Sequence, residues 1–321
     1  MKRILVTGAA GQIGSELVPA LRYRYGNENV IAAGHRTPLA DDLLSNGPCT
    51  TIDVTDYDAM RNVIEKFDVD TVFHMSSILS ALAEEKPQIA YKVNFSGLYN
   101  LLEIGVSLKL TRIIVPSSIA SFGPETPQVN TPNDTILKPK TLYGISKVFG
   151  ELMGDYYYVK YGLDVRGVRL PGIISWKTEP TAGTTDYAVA IFYEAIRNKR
   201  YTCYLESDTR LPMMYMPDAI NSILDLSETD INKLRHHSDF NVNSMSFTPS
   251  ELAERIKKRI PDFKIDYEID PIRQSIADSW PDSLDDTVAR EEWNWLPQYD
   301  IERMVDDVLD NLTRKLSKDT Q

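Results

Sequence analysis

Ile4-Leu5-Val6-Thr7-Gly8-Ala9-Ala10-Gly11-Gln12-Ile13-Gly14 is the stretch that decides the fold. Its first four residues are rich in β-branched side chains and show no polar alternation, which predicts a strand buried in a parallel sheet. Three glycines spaced three apart follow. A helical pattern then runs through Leu17, Val18, Leu21 and Tyr25. A strand, a tight turn and a helix bring backbone N–H groups and a helix N-terminus to one point, which suits a pyrophosphate. A Gly-rich turn without a ligand is the alternative. The place of this motif, between first strand and first helix, favours a dinucleotide held by Gly8, Gly11, Gln12, Ile13 and Gly14.

The strand–helix rhythm continues outward from there. Val30-Ile31-Ala32-Ala33 reads as the second strand. A site for NAD usually carries an acidic residue about 20 residues past the turn. This chain has Gly34-His35-Arg36 there. Two readings stand open: His35 and Arg36 meet a 2′-phosphate and favour NADP, or both face solvent and the ribose is held otherwise. Thr51-Ile52-Asp53-Val54 is a third strand, with Asp53 at its carboxyl end. Asp53 either accepts from an adenine amino group or caps a helix starting near Tyr57. Residues 70–75 form a fourth strand, followed by Ser76, Ser77 and Ser80. One long amphipathic helix is expected from Pro87 to Leu108, with Asn94 inside it, where an amide needs a partner. Residues 112–116 form a fifth strand ending in Ser117-Ser118, and 165–170 a sixth.

That alternation predicts an α/β fold with a doubly wound parallel Rossmann sheet. We expect a dinucleotide-binding domain over 1–170. Residues 171–321 then form mainly a smaller α/β substrate lobe, with some segments returning to the first domain. In that lobe, helices are expected at 187–198, 217–227, 249–259, 287–294 and 300–316, with weak strands at 239–243 and 264–269. The loops 122–140 and 178–186 are rich in Pro and Thr. The second is a candidate lid.

Tyr143-Gly144-Ile145-Ser146-Lys147 opens a helix that Gly162 ends. A phenol and an ammonium four residues apart share one helix face. An adjacent ammonium is expected to pull the phenol down from about 10, making it a base for an alcohol proton. An ordinary helix with a snorkelling lysine is the competing reading.

Composition narrows the partners. Thirty-five basic and 46 acidic residues give a net charge of −11, which argues against nucleic acid and anionic membranes. No apolar run approaches the ~18 residues of a membrane span, and no signal-peptide pattern opens the chain. Cys49 and Cys203 match no metal or redox spacing and read as thiols in a reducing cytoplasm. The four histidines form no ligand pattern, so no metal site is expected.

Gly8-x-x-Gly11-x-x-Gly14, Ser118 and Tyr143-x-x-x-Lys147 together resemble the extended short-chain dehydrogenase/reductase superfamily, which includes UDP-galactose 4-epimerase. More narrowly, Leu170-Pro171-Gly172-Ile173-Ile174-Ser175, Gly183-Thr184-Thr185-Asp186-Tyr187, Leu211-Pro212-Met213-Met214-Tyr215 and Asp278-Ser279-Trp280-Pro281 resemble the short-chain-type L-threonine 3-dehydrogenases. The resemblance implies Tyr143 as general base, Lys147 as its electrostatic partner and Ser118 as a hydrogen-bonding partner of the substrate hydroxyl. It implies Ser80, Thr184, Thr185 and Trp280 near the substrate. Ile78, Asn94 and Leu170 join the glycine turn, His35, Arg36, Asp53, Tyr143 and Lys147 around the cofactor. It further implies NAD, L-threonine as substrate and a homodimer formed through residues 87–108 and 143–161. Gly34 departs from the family's acidic residue and leaves NADP open. Ser76-Ser77 departs from a small apolar pair. The rival functions are an NDP-sugar epimerase or dehydratase, and a dinucleotide-sensing relative without catalysis.

Overall fold

Ile4–Thr7 is a fully buried strand at the middle of a six-stranded sheet. The computed structural model describes residues 1–181 and 183–319; Ala182, within the expected 178–186 lid loop, lies outside the described residues. The strands lie in the order Cys49–Thr51, Val30–Gly34, Ile4–Thr7, Thr71–His74, Arg112–Ile114 and Val165–Arg166, every neighbour parallel. The expected doubly wound α/β sheet is therefore present. Its order reverses between Ile4–Thr7 and Thr71–His74. In such sheets the crevice beyond the strands' carboxyl ends at that point receives ligands. Leu5, Val72, Ile113 and Val165 share a core with Leu101, Leu102, Ile104 and Tyr157.

By its internal contacts the chain divides into two units. One comprises Met1–Ser121, Leu142–Arg169 and Ile220–Phe240. The other comprises Phe122–Thr141, Leu170–Ala219 and the described residues from Asn241 onward. In the first unit, Arg166 ties the 220–240 segment to the sheet. Its guanidinium donates to Asp164 Oδ1 at 2.7 Å and to the carbonyls of Leu226 and Thr229 at 2.7 and 2.6 Å. The second unit holds a sheet ordered Met245–Phe247, Leu211–Tyr215 and Gly172–Ile174, plus a parallel pair, Arg200–Cys203 with Lys264–Tyr267. Helices Tyr187–Arg197, Pro249–Arg259 and Ile301–Asp319 pack against one another. Thr248 and Glu251 form a reciprocal capping box that starts the middle one.

Several elements depart from expectation for identifiable reasons. The third strand ends at Thr51, so Asp53 lies beyond it. Asp53 accepts from Thr55 instead of capping the helix; Asp56 is the cap, accepting from the Ala59 N–H at 2.9 Å. The expected helix 87–108 runs through three segments, with a π-helical turn at Tyr91–Gly97 that carries Asn94. The sixth strand breaks at Gly167, where a Cβ would stand 2.4 Å from the Val115 carbonyl oxygen. Beyond it, Val168–Leu170 belongs to a separate sheet with Ser117–Ser118 and Phe240–Asn241. Strands at Gly172–Ile174, Arg200–Cys203 and Met245–Phe247 and a helix at Pro271–Ala277 were not expected. Among the described residues no helix is long and apolar enough to cross a membrane.

His74 lies in this sheet beside Thr7, with Nδ1 and the Thr7 hydroxyl 3.0 Å apart. Burial, and secondarily the charge of Lys147, pushes its pKa down to about 4. The unfolded chain takes up this proton below about pH 6.5 while the folded chain does not until about 4, so stability falls as pH drops through that window. We expect His74 to account for roughly 2–3 kcal/mol of acid destabilisation between pH 7 and 4.5. Urea unfolding at the two pH values should show a shallower pH dependence in His74→Asn; equal slopes in both proteins refute this.

Candidate active site

The glycine turn is packed closely against backbone at Gly8 and Gly14. Gly8 has φ +66°, and a Cβ there would meet the Met75 carbonyl carbon at 2.7 Å. At Gly14, where the helix Gly14–Tyr25 begins, a Cβ would lie 2.3 Å from the Gly8 carbonyl oxygen. The Gly11 N–H donates to that same oxygen at 2.9 Å. Gln12 and Ile13 carry the chain into the helix, their carbonyls accepting from the Ser15 hydroxyl and the Leu17 N–H. A cleft of about 450 Å³ opens in front of the turn, lined by Gly8, Gly11, His35, Arg36, Asp53 and Ile78 among others. Bare backbone at a helix start, opening on a long cleft, fits a dinucleotide.

The far edge of that cleft is polar. Asp53 accepts from the Thr55 N–H at 2.9 Å and its hydroxyl at 2.8 Å, and His35 Nε2 stands 3.7 Å from its other oxygen. Burial pushes the Asp53 carboxyl up, but the Thr55 bonds and the neighbouring His35 and Arg36 outweigh it and hold it below its usual value. On the near side, Asn94 has found its partners. Its amide accepts from the Ile78 N–H at 2.8 Å, donates to the Ile78 carbonyl at 2.9 Å and reaches the Ser146 hydroxyl at 3.3 Å. It thereby fixes the 77–78 loop against the helix Leu142–Tyr161. Ser77 also donates to Asn94, which explains one hydroxyl of the Ser76-Ser77 pair. Ser80 is buried at the start of the next helix.

Ser118, Tyr143 and Lys147 come together in the first unit. The Ser118 hydroxyl lies close enough to the Tyr143 phenol to favour its ionised form. Lys147 Nζ donates to the Pro116 carbonyl at 2.8 Å and lies 5.2 Å from the centre of the Tyr143 ring. The ammonium thus sits beside the ring and bonds a strand-end carbonyl. This corrects the expected direction of the phenol's titration. Burial raises Tyr143 to about 12, with the Ser118 hydroxyl pulling the other way. Burial lowers Lys147 to about 8, opposed by the Glu151 carboxylate. Both side chains keep part of their surface open, so water tempers these displacements.

The sequence reading missed what lies one helical turn further on. Glu151 is buried and accepts from Arg169 Nε at 2.9 Å and Nη2 at 2.8 Å, and from the Ser117 hydroxyl. Tyr143, Lys147 and Glu151 recur every four residues on one face, and that spacing was the available signal. Between His74, Ser76, Ser117, Ser146, Lys147 and Glu151 a cavity of about 30 Å³ has room for one water.

The remaining predicted residues belong to the second unit. Thr184 is buried, and its hydroxyl has no hydrogen-bond partner among the described residues. Thr185 packs on Gly172, where a Cβ would meet it at 2.8 Å. Trp280 and Leu170 are buried. Tyr204 holds the Thr184 turn by donating to the carbonyls of Gly183 at 3.0 Å and Thr184 at 3.2 Å.

Residues 4–242 match the NAD dependent epimerase/dehydratase family. The chain belongs to that family. It is 47% identical to an uncharacterized epimerase/dehydratase of Staphylococcus haemolyticus over 315 residues, 98% of this chain and 99% of the relative. Among solved structures it is similar to the L-threonine dehydrogenase of Clostridium difficile, at 51% identity and TM-score 0.96 over 98% of both chains. The holo form of the GalE-like L-threonine dehydrogenase of Cupriavidus necator is 45% identical, with TM-score 0.94, over 97% of this chain and 99% of that one. A UDP-glucose 4-epimerase of Thermotoga maritima shares the fold at 22% identity and TM-score 0.85. The resemblance to epimerase-like extended short-chain L-threonine 3-dehydrogenases therefore holds, and with it an oxidoreductase assignment and a nicotinamide dinucleotide cofactor.

The Glu151–Arg169 pair predicts a strong asymmetry. Glu151→Ala leaves a buried guanidinium without its main partner and should cost about 3–5 kcal/mol. Replacing both partners, Glu151→Leu with Arg169→Met, should recover most of that loss. Urea midpoints test this; a wild-type midpoint in Glu151→Ala would sink the assignment.

Proposed function

We propose that the chain oxidises the β-hydroxyl of L-threonine to 2-amino-3-oxobutyrate, with NAD as hydride acceptor. The observation that carries this reading is the Ser118–Tyr143–Lys147 cluster in a chain 51% identical to an L-threonine dehydrogenase over 98% of its length. Ser118 and Tyr143 orient the hydroxyl, and Tyr143, once ionised to the phenolate, accepts its proton as the β-carbon gives up hydride. Lys147, held by the Pro116 carbonyl, contributes positive charge beside the phenol ring. A bound oxidised nicotinamide supplies the hydride acceptor and a further positive charge. Gly8, Gly11, Gln12, Ile13 and Gly14 would hold its pyrophosphate, Asp53 its adenine side, and Ile78, Asn94 and Leu170 the nicotinamide side.

The first unit then serves as the dinucleotide-binding domain, and the second as the main substrate lobe. The unpartnered Thr184 hydroxyl supports a polar ligand there, since buried hydroxyls otherwise find partners. We assign Ser80, Thr184, Thr185 and Trp280 to the amino acid. Two free thiols suit a reducing cytoplasm. The net charge of −11 suits a small-molecule substrate better than nucleic acid or an anionic membrane.

An exposed apolar stripe supports a homodimer. Ile145, Leu152, Tyr156 and Val159 recur at helical spacing on Leu142–Tyr161, and Tyr91 and Tyr99 are exposed on the 87–108 helix. A related L-threonine 3-dehydrogenase from a metagenome is monomeric.

Tyr143→Phe should lower kcat at least ~100-fold while sparing cofactor binding, read as absorbance at 340 nm and as a fluorescence titration with NADH. Turnover should rise towards alkaline pH as the phenol ionises, and Lys147→Ala should move that rise to higher pH. Near-normal oxidation by Tyr143→Phe would exclude its role as base. Turnover of UDP-glucose or UDP-galactose without L-threonine oxidation would favour the epimerase reading. Leu152→Glu with Val159→Glu should convert a sedimenting dimer to monomer; an unchanged sedimentation coefficient excludes this helix from the interface.

A further inference from the structure

We propose that Gly34, His35 and Arg36 form a subsite for a phosphomonoester on the adenosine ribose, so that the cleft takes the 2′-phosphorylated dinucleotide, NADP, as well as NAD. The inference rests on the reading that this cleft holds a nicotinamide dinucleotide, and is independent of which alcohol is oxidised.

Three observations carry it. First, the strand Val30–Gly34 ends without a carboxylate. A carboxylate there binds the paired 2′- and 3′-hydroxyls of NAD and repels a 2′-phosphate. The backbone does not demand the glycine: Gly34 lies outside the positive-φ residues, and a Cβ would meet only the Leu39 side chain, at 3.2–3.3 Å, and the Thr37 carbonyl at 3.5 Å. The missing carboxylate is therefore a property of the site, not a requirement of the fold.

Second, Arg36 is exposed on the cleft and has no hydrogen bond or ion pair among the described residues. Other guanidiniums of this unit are engaged: Arg22, Arg112 and Arg166 donate to carbonyls or carboxylates. A planar guanidinium with free donors matches a phosphate's paired oxygens. His35, next to it, adds a ring N–H.

Third, the charge that faces these groups is already partly satisfied. Asp53 is the nearby carboxylate, and it is turned into its bonds with the Thr55 N–H and hydroxyl. His35 Nε2 lies 3.7 Å from it, beyond hydrogen-bond reach. Lys86 lines the same cleft and pairs loosely with Glu85 at 3.8 Å. Two cationic side chains and an imidazole thus face one committed carboxylate, a balance that tolerates a dianion.

The test needs no substrate. Calorimetric titration of the full chain with adenosine 2′,5′-bisphosphate and with 5′-AMP isolates the single added phosphate. We expect the bisphosphate to bind at least tenfold tighter, with a steeper loss of affinity as salt rises. Arg36→Ala should remove most of that difference, and Gly34→Asp should reverse it while 5′-AMP binding is retained. Binding of the bisphosphate no tighter than 5′-AMP by the wild-type chain overturns the proposal, as does an unchanged ratio in both variants. NADP and NAD titrations should follow the same order. If the bisphosphate binds as expected but L-threonine is not oxidised with either cofactor, only the substrate reading fails. Oxidation of L-threonine with NAD and no bisphosphate preference removes only this subsite.

Discussion

The Glu151 carboxylate, bonded at once to Arg169 and Ser117, is the contact on which the geometry of the proposed active site depends. Ser117 precedes Ser118 on its short strand, Arg169 lies on the neighbouring strand, and Glu151 is two helical turns from Tyr143. One side chain therefore sets the height of the helix against the strand end that presents the Ser118 hydroxyl. Buried ion pairs stabilise poorly compared with apolar packing of similar volume, because both charges lose their water. Their use is directional. An apolar contact at this point would permit the helix to slide, whereas a two-pronged bond fixes both distance and rotation. Lys147 inherits that order, since it stands between Glu151 and Tyr143 on the same face and bonds the Pro116 carbonyl one residue before Ser117.

The same burial that fixes the geometry works against charge. It raises the phenol to about 12 and lowers the ammonium to about 8, so within the bare protein the phenol stays protonated and the ammonium gives up its proton only as pH rises through about 8. Helical spacing alone suggested the opposite for Tyr143, because it counts the proximity of the ammonium and not the loss of water around the phenol. The phenol of the proposed catalytic pair is thus poised rather than pre-ionised. Positive charge arriving over the cleft acts on a phenol in a low-dielectric setting, where a given charge has a larger effect than it has in water.

What could be read from the sequence follows what local pattern controls. The parallel sheet, the glycine turn and the Tyr143–Lys147 helix were legible because buried β-branched runs, glycine spacing and a four-residue repeat are local signals. The π-helical turn at Tyr91–Gly97 was not, since it carries an Asn94 whose partner, Ile78, lies sixteen residues away. Nor was the break at Gly167, which follows from the approach of the Val115 and Ser238 carbonyls. Arg169 and Glu151 escaped notice for a related reason. Each looks like an ordinary charged residue within its own element, and only the fold shows that both are buried together. The second unit was read least well. Its strands are short, and Gly172–Ile174 is defined by its partner Leu211–Tyr215 more than by its own composition.

Two kinds of glycine at one cleft show how such a site can change. Gly8 and Gly14 are enforced: added carbon would meet backbone at 2.7 and 2.3 Å, and that backbone belongs to the turns that leave the strands Thr71–His74 and Ile4–Thr7. Any replacement there damages the fold and the cofactor cradle together. Gly34 is met mainly by the Leu39 side chain on an exposed loop, so its identity can vary at little structural cost. The residues proposed to hold the pyrophosphate are thus locked to the architecture, while those proposed to face the ribose are not. A chain can keep the fold of its relatives over nearly its whole length and still differ at the position that selects between two phosphorylation states of one cofactor. For that reason overall similarity is informative about the reaction type, whereas cofactor preference has to be argued from the chemistry of Gly34, His35 and Arg36 themselves.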